Sequence, residues 1–521
     1  MRVLLVEPSY RRLGAHTKRR PKSSHDETRW YPPLGLMKLS RFHKDRGDEV
    51  AFAYGCDSKI LEKPSMFPRG VLWDRVYITT LFSYMWEETI ETVEFYKEAV
   101  GHSRTKIFIG GVMASLMPED IFEETGIYPV VGVLNSPEQI QLGGNINIDE
   151  LPPDYDLLDR DLYAINETFF AYSSRGCVNR CPWCGVSRIE PKFIPYIDIK
   201  PIIIGLRKRY GDKPVLKLMD NNVLASPRLP QIVLDLVRLG YGRNSYTDTH
   251  PPRKRVVDFN QGLDARYMTE EKMKLLSQVN ISPMRIAFDR LSDRKHYLRA
   301  IKLGKNHGVT EFSNYLLFNF HDTPRDLYER LRVNIELNNK WYRRKRKERA
   351  SVIYSYPMRY APIDEKDGIH ANRKRDNIVA NPGHQEDLLA NATWNLRFIR
   401  NVGVMCGAAH GAISPTPGLA LRAIGETYEE FIANLYMPEA LLRNRNMYER
   451  RIYPFEPKRK RGSGEIEAFR KFVLKRLKAP TEEFRRFHMV IGQNRKKAIR
   501  EYAAKCKDRE INKWLKYYTE K

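Results

Sequence analysis

Apolar and polar positions along this chain keep two periods, and the first 150 residues show them in alternation. Val3-Leu4-Leu5-Val6 is a short, continuous apolar run of the kind that forms a buried strand, and Glu7-Pro8-Ser9 follows it. A helix is predicted from about Leu34, with Met37, Leu39 and Phe42 on its apolar side and an end near Gly47. Val50-Ala51-Phe52-Ala53 and Val76-Tyr77-Ile78-Thr79 read as strands, a helix spans about Trp86 to Ala99, and Ile107-Phe108-Ile109 runs into Gly110-Gly111. Strand and helix alternating at this interval imply a parallel sheet covered on both faces. Ligands on such sheets bind at the carboxyl ends of the strands. Gly110 and Gly111 are therefore candidate cofactor-binding positions, with a plain tight turn as the equal alternative.

A second cadence begins at Phe169. Strands are predicted at Phe169–Ser174, Val215–Met219, Val256–Phe259, Arg285–Asp289, Tyr315–Phe320 and Val352–Tyr356. Amphipathic helices lie between them. Thr269-Glu270-Glu271 opens one, and Thr323-Pro324 opens another with Thr as the cap and Pro in the first turn. Residues 144–160, with Pro152-Pro153-Asp154, read as a linker. Beyond the last strand the pattern is helical from Trp394 to Asn444, broken at Gly403, Gly407 and Gly411. Phe469, Phe472, Val473 and Leu477 form a helical stripe, and Ala503 to Tyr518 reads as one basic helix. Cys406 and His410, four apart, are read as buried packing.

Charge changes the picture at the C-terminus. Lys and Arg number 89 against 64 Asp and Glu, a net +25 over 521 residues. Residues 451–521 hold 22 Lys and Arg against 9 Asp and Glu, so thirteen of those charges sit there. Lys340 to Arg349 packs seven basic and two aromatic residues into ten positions. Such stretches suit RNA or another polyanion, and a merely solvated basic face explains them equally well. No apolar run reaches 18 residues and the apolar N-terminal run is too short for a signal peptide, so a cytoplasmic protein without a membrane span is expected.

The chemistry concentrates in Ser174-Arg175-Gly176-Cys177-Val178-Asn179-Arg180-Cys181-Pro182-Trp183-Cys184-Gly185, which holds three of the six cysteines. Thiolates this close select iron–sulfur clusters, zinc or cuprous copper. A structural zinc needs a fourth ligand, and no Cys or His occurs between Cys184 and His250. Cys56, Cys406 and Cys506 are scattered singly, which also argues against a disulfide framework.

The Cys177-x-x-x-Cys181-x-x-Cys184 spacing, with an aromatic just before the last cysteine, resembles the cluster motif of radical S-adenosylmethionine (SAM) enzymes. The resemblance implies a [4Fe–4S] cluster on Cys177, Cys181 and Cys184, SAM bound at its open iron, and an electron donor such as a flavodoxin or ferredoxin. Pro32-Pro33-Leu34-Gly35-Leu36, Arg46-Gly47-Asp48-Glu49-Val50 and Gly110-Gly111-Val112-Met113-Ala114-Ser115 resemble the cobalamin-binding-type domain that precedes many such cores. That family's cobalt-ligating Asp-x-His-x-x-Gly is absent, because the loop after the first strand reads Glu7-Pro8-Ser9-Tyr10-Arg11-Arg12. Cobalamin is thus an open cofactor.

The implied fold is α/β. A doubly wound, Rossmann-like parallel-sheet domain (1–143) and a linker (144–166) lead to a partial (β/α)6 TIM-type barrel (167–360), a helical extension (361–450) and a basic helical tail (451–521). By the resemblance, Asp220-Asn221-Asn222 meets the amino group of SAM, the segment Gln261, Asp264 and Arg266 meets its ribose or carboxylate, and Trp183 packs near the adenine. Asp289, Asn319, His321 and Asp322 mark the ends of later strands. Each is equally a capping or turn residue by type. The leading reading is a radical SAM enzyme acting on RNA or another polyanion, with cobalamin-dependent C-methylation as one reaction open to it. Its competitors are a radical SAM enzyme acting on a peptide or small molecule without cobalamin, and a non-catalytic nucleic-acid-binding protein with a structural metal clip.

Overall fold

A computed structural model describes residues 1–9, 30–61, 72–343, 351–364, 388–407, 411–443 and 464–519. The basic runs at 344–349 and 458–461, the insert from Arg11 to Arg29 and His410 lie outside the described residues. Internal contacts group the chain into two units. One comprises Met1–Leu263, Thr269–Ser282 and Ala361–Ala371, the other Asp264–Met268, Pro283–Tyr360 and Asn372–Lys521.

The first unit opens with a four-stranded sheet, β1 (Arg2–Glu7), β2 (Glu49–Tyr54), β3 (Arg75–Thr80) and β4 (Ile107–Gly111), in the order β2-β1-β3-β4. Every pair is parallel. The period of two explains its two cores. Val3 and Leu5 face Leu36, Leu39 and Phe42 of α1 (Leu34–Asp45), while Leu4, Val6, Val76 and Ile78 face Val93 and Tyr96 of α2 (Trp86–Tyr96). Both faces are covered, as the doubly wound expectation requires. Strand order reverses direction at β1 and β3, so Glu7, Tyr54, Thr80, Gly110 and Gly111 end strands along the edge where such sheets take ligands.

The residues read as a linker are fastened down. Asp154 is 1% exposed, and its carboxylate accepts from Ser40 Oγ (2.7 Å), Lys44 Nζ (2.7 Å) and Tyr210 Oη (3.1 Å). Two short 3-10 turns, Ile148–Glu150 and Tyr155–Leu157, flank it. The unit continues with a parallel sheet in the order β5 (Thr168–Ala171), β6 (Val215–Leu218), β7 (Val256–Phe259).

The second unit holds the other three strands, β8 (Met284–Arg285), β9 (Glu311–Phe318) and β10 (Val352–Arg359), again all parallel, in the order β10-β9-β8. The six strands expected after Phe169 are thus present as two parallel sheets of three. The run expected at Arg285–Asp289 is laddered at only two residues, yet Ile286 N and Phe288 N still donate to Ser313 O (2.9 Å) and Tyr315 O (3.0 Å). The Thr323 and Thr269 helix starts hold: Thr269 Oγ1 accepts from Lys272 N, and Thr323 Oγ1 from Asp326 N.

Two expectations for the C-terminal region change. Gly403 breaks nothing and sits inside the helix Leu396–Gly407. The basic helix expected from Ala503 to Tyr518 begins only at Arg509 and runs to Thr519, because Asp508 Oδ1 caps it through Glu510 N (2.9 Å) and Ile511 N (3.1 Å), and a separate helix, Lys496–Ala503, precedes it. The four last helices, from Gly464 to Thr519, close around Phe469, Phe472, Phe484, Phe487 and Trp514. Among the described residues no helix is long and apolar enough to cross a membrane.

Glu7 at the end of β1 makes stability depend on pH. Its carboxylate accepts from Tyr163 Oη at 2.5 Å, and burial pushes its pKa up to about 7 against that hydrogen bond. The folded state keeps a proton that the unfolded chain sheds near the ordinary value of 4.5, so this residue's contribution falls as pH rises from about 4.5 to about 7. Glu7→Gln is expected to raise the unfolding free energy at about pH 8 by up to roughly 3 kcal/mol, with the gain fading below about pH 5. Denaturation followed by tryptophan fluorescence at the two pH values checks it.

Candidate functional site

β5 ends at Ala171 and the chain turns through Tyr172, Ser173 and Ser174 to Arg175. Arg175 and Ile194 then exchange backbone hydrogen bonds of 2.9 Å in both directions, which closes the intervening residues into one loop. Cys177, Cys181 and Cys184 all lie inside it, half-buried and outside any disulfide. Cys184 N donates to Cys181 O at 3.0 Å, so Cys181-Pro182-Trp183-Cys184 is a tight turn that brings its end cysteines to one side. Trp183 is partly buried in that turn. Gly176 has φ +73°, and a Cβ there would stand 2.6 Å from Lys192 O, so only glycine fits before the first cysteine.

The end of β6 fastens this loop. Asp220 is 2% exposed; its Oδ1 accepts from Ser173 Oγ (2.7 Å) and Ser174 Oγ (2.6 Å), and its Oδ2 from Ser173 N (3.2 Å). Burial pushes its pKa up, and the serine hydrogen bonds pull the other way. Asn221 Nδ2 donates to Glu190 Oε2 at 2.9 Å. Buried Asn222 Nδ2 donates toward Cys177 Sγ at 3.5 Å, and Asn179 N toward the same sulfur at 3.4 Å. Three consecutive side chains after one strand thus reach three points of the cysteine loop.

Gly110 and Gly111 belong to the same unit, at the end of β4. Gly111 has φ +109°, and a Cβ would stand 2.3 Å from Thr80 O. Thr80 Oγ1 donates to Gly110 O (3.0 Å) and accepts from Ala114 N (2.9 Å). Close packing against β3 already explains these glycines. Gln261 is exposed in the turn after β7, which Gly262 closes at φ +92°. Its neighbour Asn260 accepts from Tyr31 Oη at 2.8 Å.

Asp264 and Arg266 lie in the second unit. They pair with each other by a two-pronged bridge, Nε to Oδ1 2.8 Å and Nη2 to Oδ2 2.7 Å. A ligand carboxylate taking the Arg266 fork would displace Asp264. Asp289 accepts from Leu317 N (3.1 Å), and burial raises its pKa. Asp322 pairs with fully buried Arg330 at 2.6 Å and accepts from Asn319 N and Trp394 Nε1, so it braces the turn after β9. Asn319 sits in that turn at φ +67°, and exposed His321 lies against Phe320.

Sequence reasoning missed Glu190, Asp149 and Lys38. Arg175 Nε donates to Asp149 Oδ2 (2.9 Å), its Nη2 reaches Asp149 Oδ1, and its Nη1 donates to Glu190 Oε1 (2.8 Å). Lys38 of α1 meets the same Asp149 at 2.8 Å. Burial pushes the Asp149 carboxyl up, but Lys38 and Arg175 outweigh it and hold it below the ordinary value.

No family model and no curated protein matches the sequence. Among solved structures the chain is similar to the radical S-adenosylmethionine methyltransferase TsrM from Kitasatospora setae, solved with cobalamin and a [4Fe–4S] cluster bound. That likeness has 13% identity and a TM-score of 0.47 over 73% of this chain and 76% of that one. It is similar to the apo cobalamin-dependent SAM radical enzyme OxsB at 14% identity and a TM-score of 0.49, over 99% of this chain and 83% of that one. HydG, a maturase of the [FeFe]-hydrogenase, aligns at 14% identity and a TM-score of 0.30 over 83% of this chain and 96% of that one. Likenesses this distant leave the activity to be argued from the residues themselves.

Removing the Asp220 carboxylate strands two hydroxyls and an N–H in a buried place. Asp220→Ala is expected to cost about 2–4 kcal/mol of stability and to raise hydrogen exchange at Ser173 to Cys177 while leaving the first sheet protected. Exchange measured by mass spectrometry on peptides spanning 168–185 checks it.

Proposed function

We propose that this chain is a radical SAM enzyme whose [4Fe–4S] cluster is held by Cys177, Cys181 and Cys184. One observation carries the reading: three cysteines outside any disulfide in a single closed loop, pinned from outside by Asp220-Asn221-Asn222 and from within by Glu190. The donor set fits. Among the described residues no group of three or more His, Cys, Asp or Glu side chains is placed to hold a metal ion, and ligands of a cluster each take a different iron, so they need not meet at one point. When bound, such a cluster with one iron free of protein ligands supplies a seat for SAM and the electron that breaks its carbon–sulfur bond. The chain's own part is to orient. Asn222 and the Asn179 amide aim N–H donors at Cys177 Sγ, Trp183 offers a face to the adenine, and Gln261 offers a polar group to the ribose. An external one-electron donor of the flavodoxin or ferredoxin class completes the reaction.

The domain organisation follows this reading: a cobalamin-binding-type domain at 1–143, a linker at 144–166, the SAM core at 167–360, a helical extension at 361–450 and a basic tail at 451–521. Cobalamin stays an open cofactor: the strand-end residues Glu7, Tyr54, Thr80, Gly110 and Gly111 carry no histidine, exposed Cys56 stands two residues beyond the end of β2, and no step is derived through the group.

Anaerobic purification followed by incubation with SAM and dithionite tests the chemistry. The wild type is expected to carry about four irons and four sulfides per chain and to release 5′-deoxyadenosine. Each of Cys177→Ala, Cys181→Ala and Cys184→Ala is expected to lose most of the iron and all of the nucleoside. Zinc in place of iron, or iron without nucleoside, defeats the proposal.

For the substrate we favour a polyanion such as RNA. Lys496, Lys497, Arg500, Lys513 and Lys516 stand exposed on the last two helices, whose aromatic core does not need them. Binding to a fluorescent RNA is expected to fall by about ten-fold or more between about 50 and 200 mM salt. Weak, salt-insensitive binding favours a peptide or small-molecule substrate instead.

A further inference from the structure

Arg175 stands two residues before the first cysteine, and carboxylates grip it from two sides. Asp149 takes its Nε and Nη2, Glu190 takes its Nη1 at 2.8 Å, and its guanidinium lies 3.5 Å over the Tyr172 ring. The second oxygen of Glu190 accepts Gly176 N at 2.6 Å and Asn221 Nδ2 at 2.9 Å. Asp149 in turn takes Lys38 Nζ from α1. The four charged side chains are only 10–13% exposed: Lys38 10%, Asp149 13%, Arg175 11% and Glu190 11%. Two cations and two anions leave the group neutral. Burying it is costly, and a well-packed apolar substitute stabilises a fold at least as well. Fold stability alone therefore does not account for it, whereas a requirement for one loop geometry and one local charge does.

We propose that Arg175 and Glu190 are positioning residues for the cluster, Arg175 by fixing the entry to the cysteine loop and Glu190 by placing a negative charge beside Gly176-Cys177 that lowers the reduction potential. The inference rests on the cluster reading above. Net charge near a cluster and hydrogen bonding around its sulfurs set its potential. Losing the Glu190 charge turns a neutral group into a cationic one, which favours the reduced cluster. Glu190→Gln keeps an acceptor for Gly176 N and Asn221 Nδ2 at its amide oxygen and gives up the bond from Arg175 Nη1, which Asp149 still holds through Nε and Nη2, so the loop stays formed. Arg175→Lys keeps the charge and loses the two-pronged fork.

Three measurements on the reconstituted full chain separate the outcomes: iron and sulfide content, the midpoint potential by electron paramagnetic resonance titration without SAM, and the rate of iron loss to a chelator. Glu190→Gln is expected to hold wild-type iron with a midpoint shifted to higher potential. Arg175→Lys is expected to keep the wild-type midpoint and to lose iron several-fold faster. Should Glu190→Gln fail to fold by circular dichroism, Glu190→Asp is the second arm, expected to keep the midpoint and to lose iron faster because its carboxylate is drawn back from Gly176. An unchanged midpoint in Glu190→Gln with an unchanged iron-loss rate in Arg175→Lys overturns the inference and leaves the cluster intact. A wild type without iron overturns the cluster reading itself, and the inference with it.

Discussion

A loop that is to offer three thiols to the proposed cluster has to be stiff without being buried. A core would hold it still but shut it from its ligand. The remaining means is hydrogen bonding, from the loop's own side chains and from its neighbours. Fixing a residue costs about 1–2 kcal/mol of backbone entropy, and a bond to a neutral partner returns only about 1 kcal/mol, while one to a charged group returns about 1.5–3 kcal/mol. The fasteners found here follow that order of strength. Asp220 grips Ser173 and Ser174, and Glu190 grips Gly176 and Arg175, each through a carboxylate.

That choice has consequences elsewhere in the first unit. A buried guanidinium needs carboxylates, so Asp149 must be brought in from the segment between the two sheets. Asp149 then draws Lys38 from α1, and Asp154 a few residues on draws Ser40, Lys44 and Tyr210. Four side chains of α1 and of the helix Lys200–Tyr210, counting Lys38, are thereby committed to a stretch that has no strand or long helix of its own. The segment is ordered because its acids are held, and not because its backbone forms a regular element.

This is also why part of the molecule was legible in the sequence and part was not. Val3–Val6 and Val76–Ile78 announce themselves because a strand buried on both faces must be apolar throughout, a local property. The cysteine spacing is equally local. Asp220 is legible as a polar residue ending a strand, but its partners lie 46 and 47 residues away, and no local pattern names them. Asp149 sits among Pro, Asn and Asp residues that read as a linker, and Glu190 in a short polar run, so neither carries a signal until the fold brings Arg175 between them. Gly403 shows the reverse error, where a local preference loses to the helix Leu396–Gly407 around it, most of whose side chains are buried. Asp508, read only as one more charge, proves to be the cap that starts the last helix at Arg509.

The positive charge answers to a different constraint. Around the cysteines charge is balanced within one buried group, since an unbalanced one there would be expensive. At the C-terminus it is left unbalanced: Phe469, Phe472, Phe484, Phe487 and Trp514 already hold the helices together. Like charges on such a surface repel and subtract from stability. Of the basic side chains there, Arg470 and Arg476 find acids on their own or a neighbouring helix, whereas Lys496, Lys497, Arg500, Lys513 and Lys516 stand exposed. Those exposed cations are what the proposed polyanion substrate would meet.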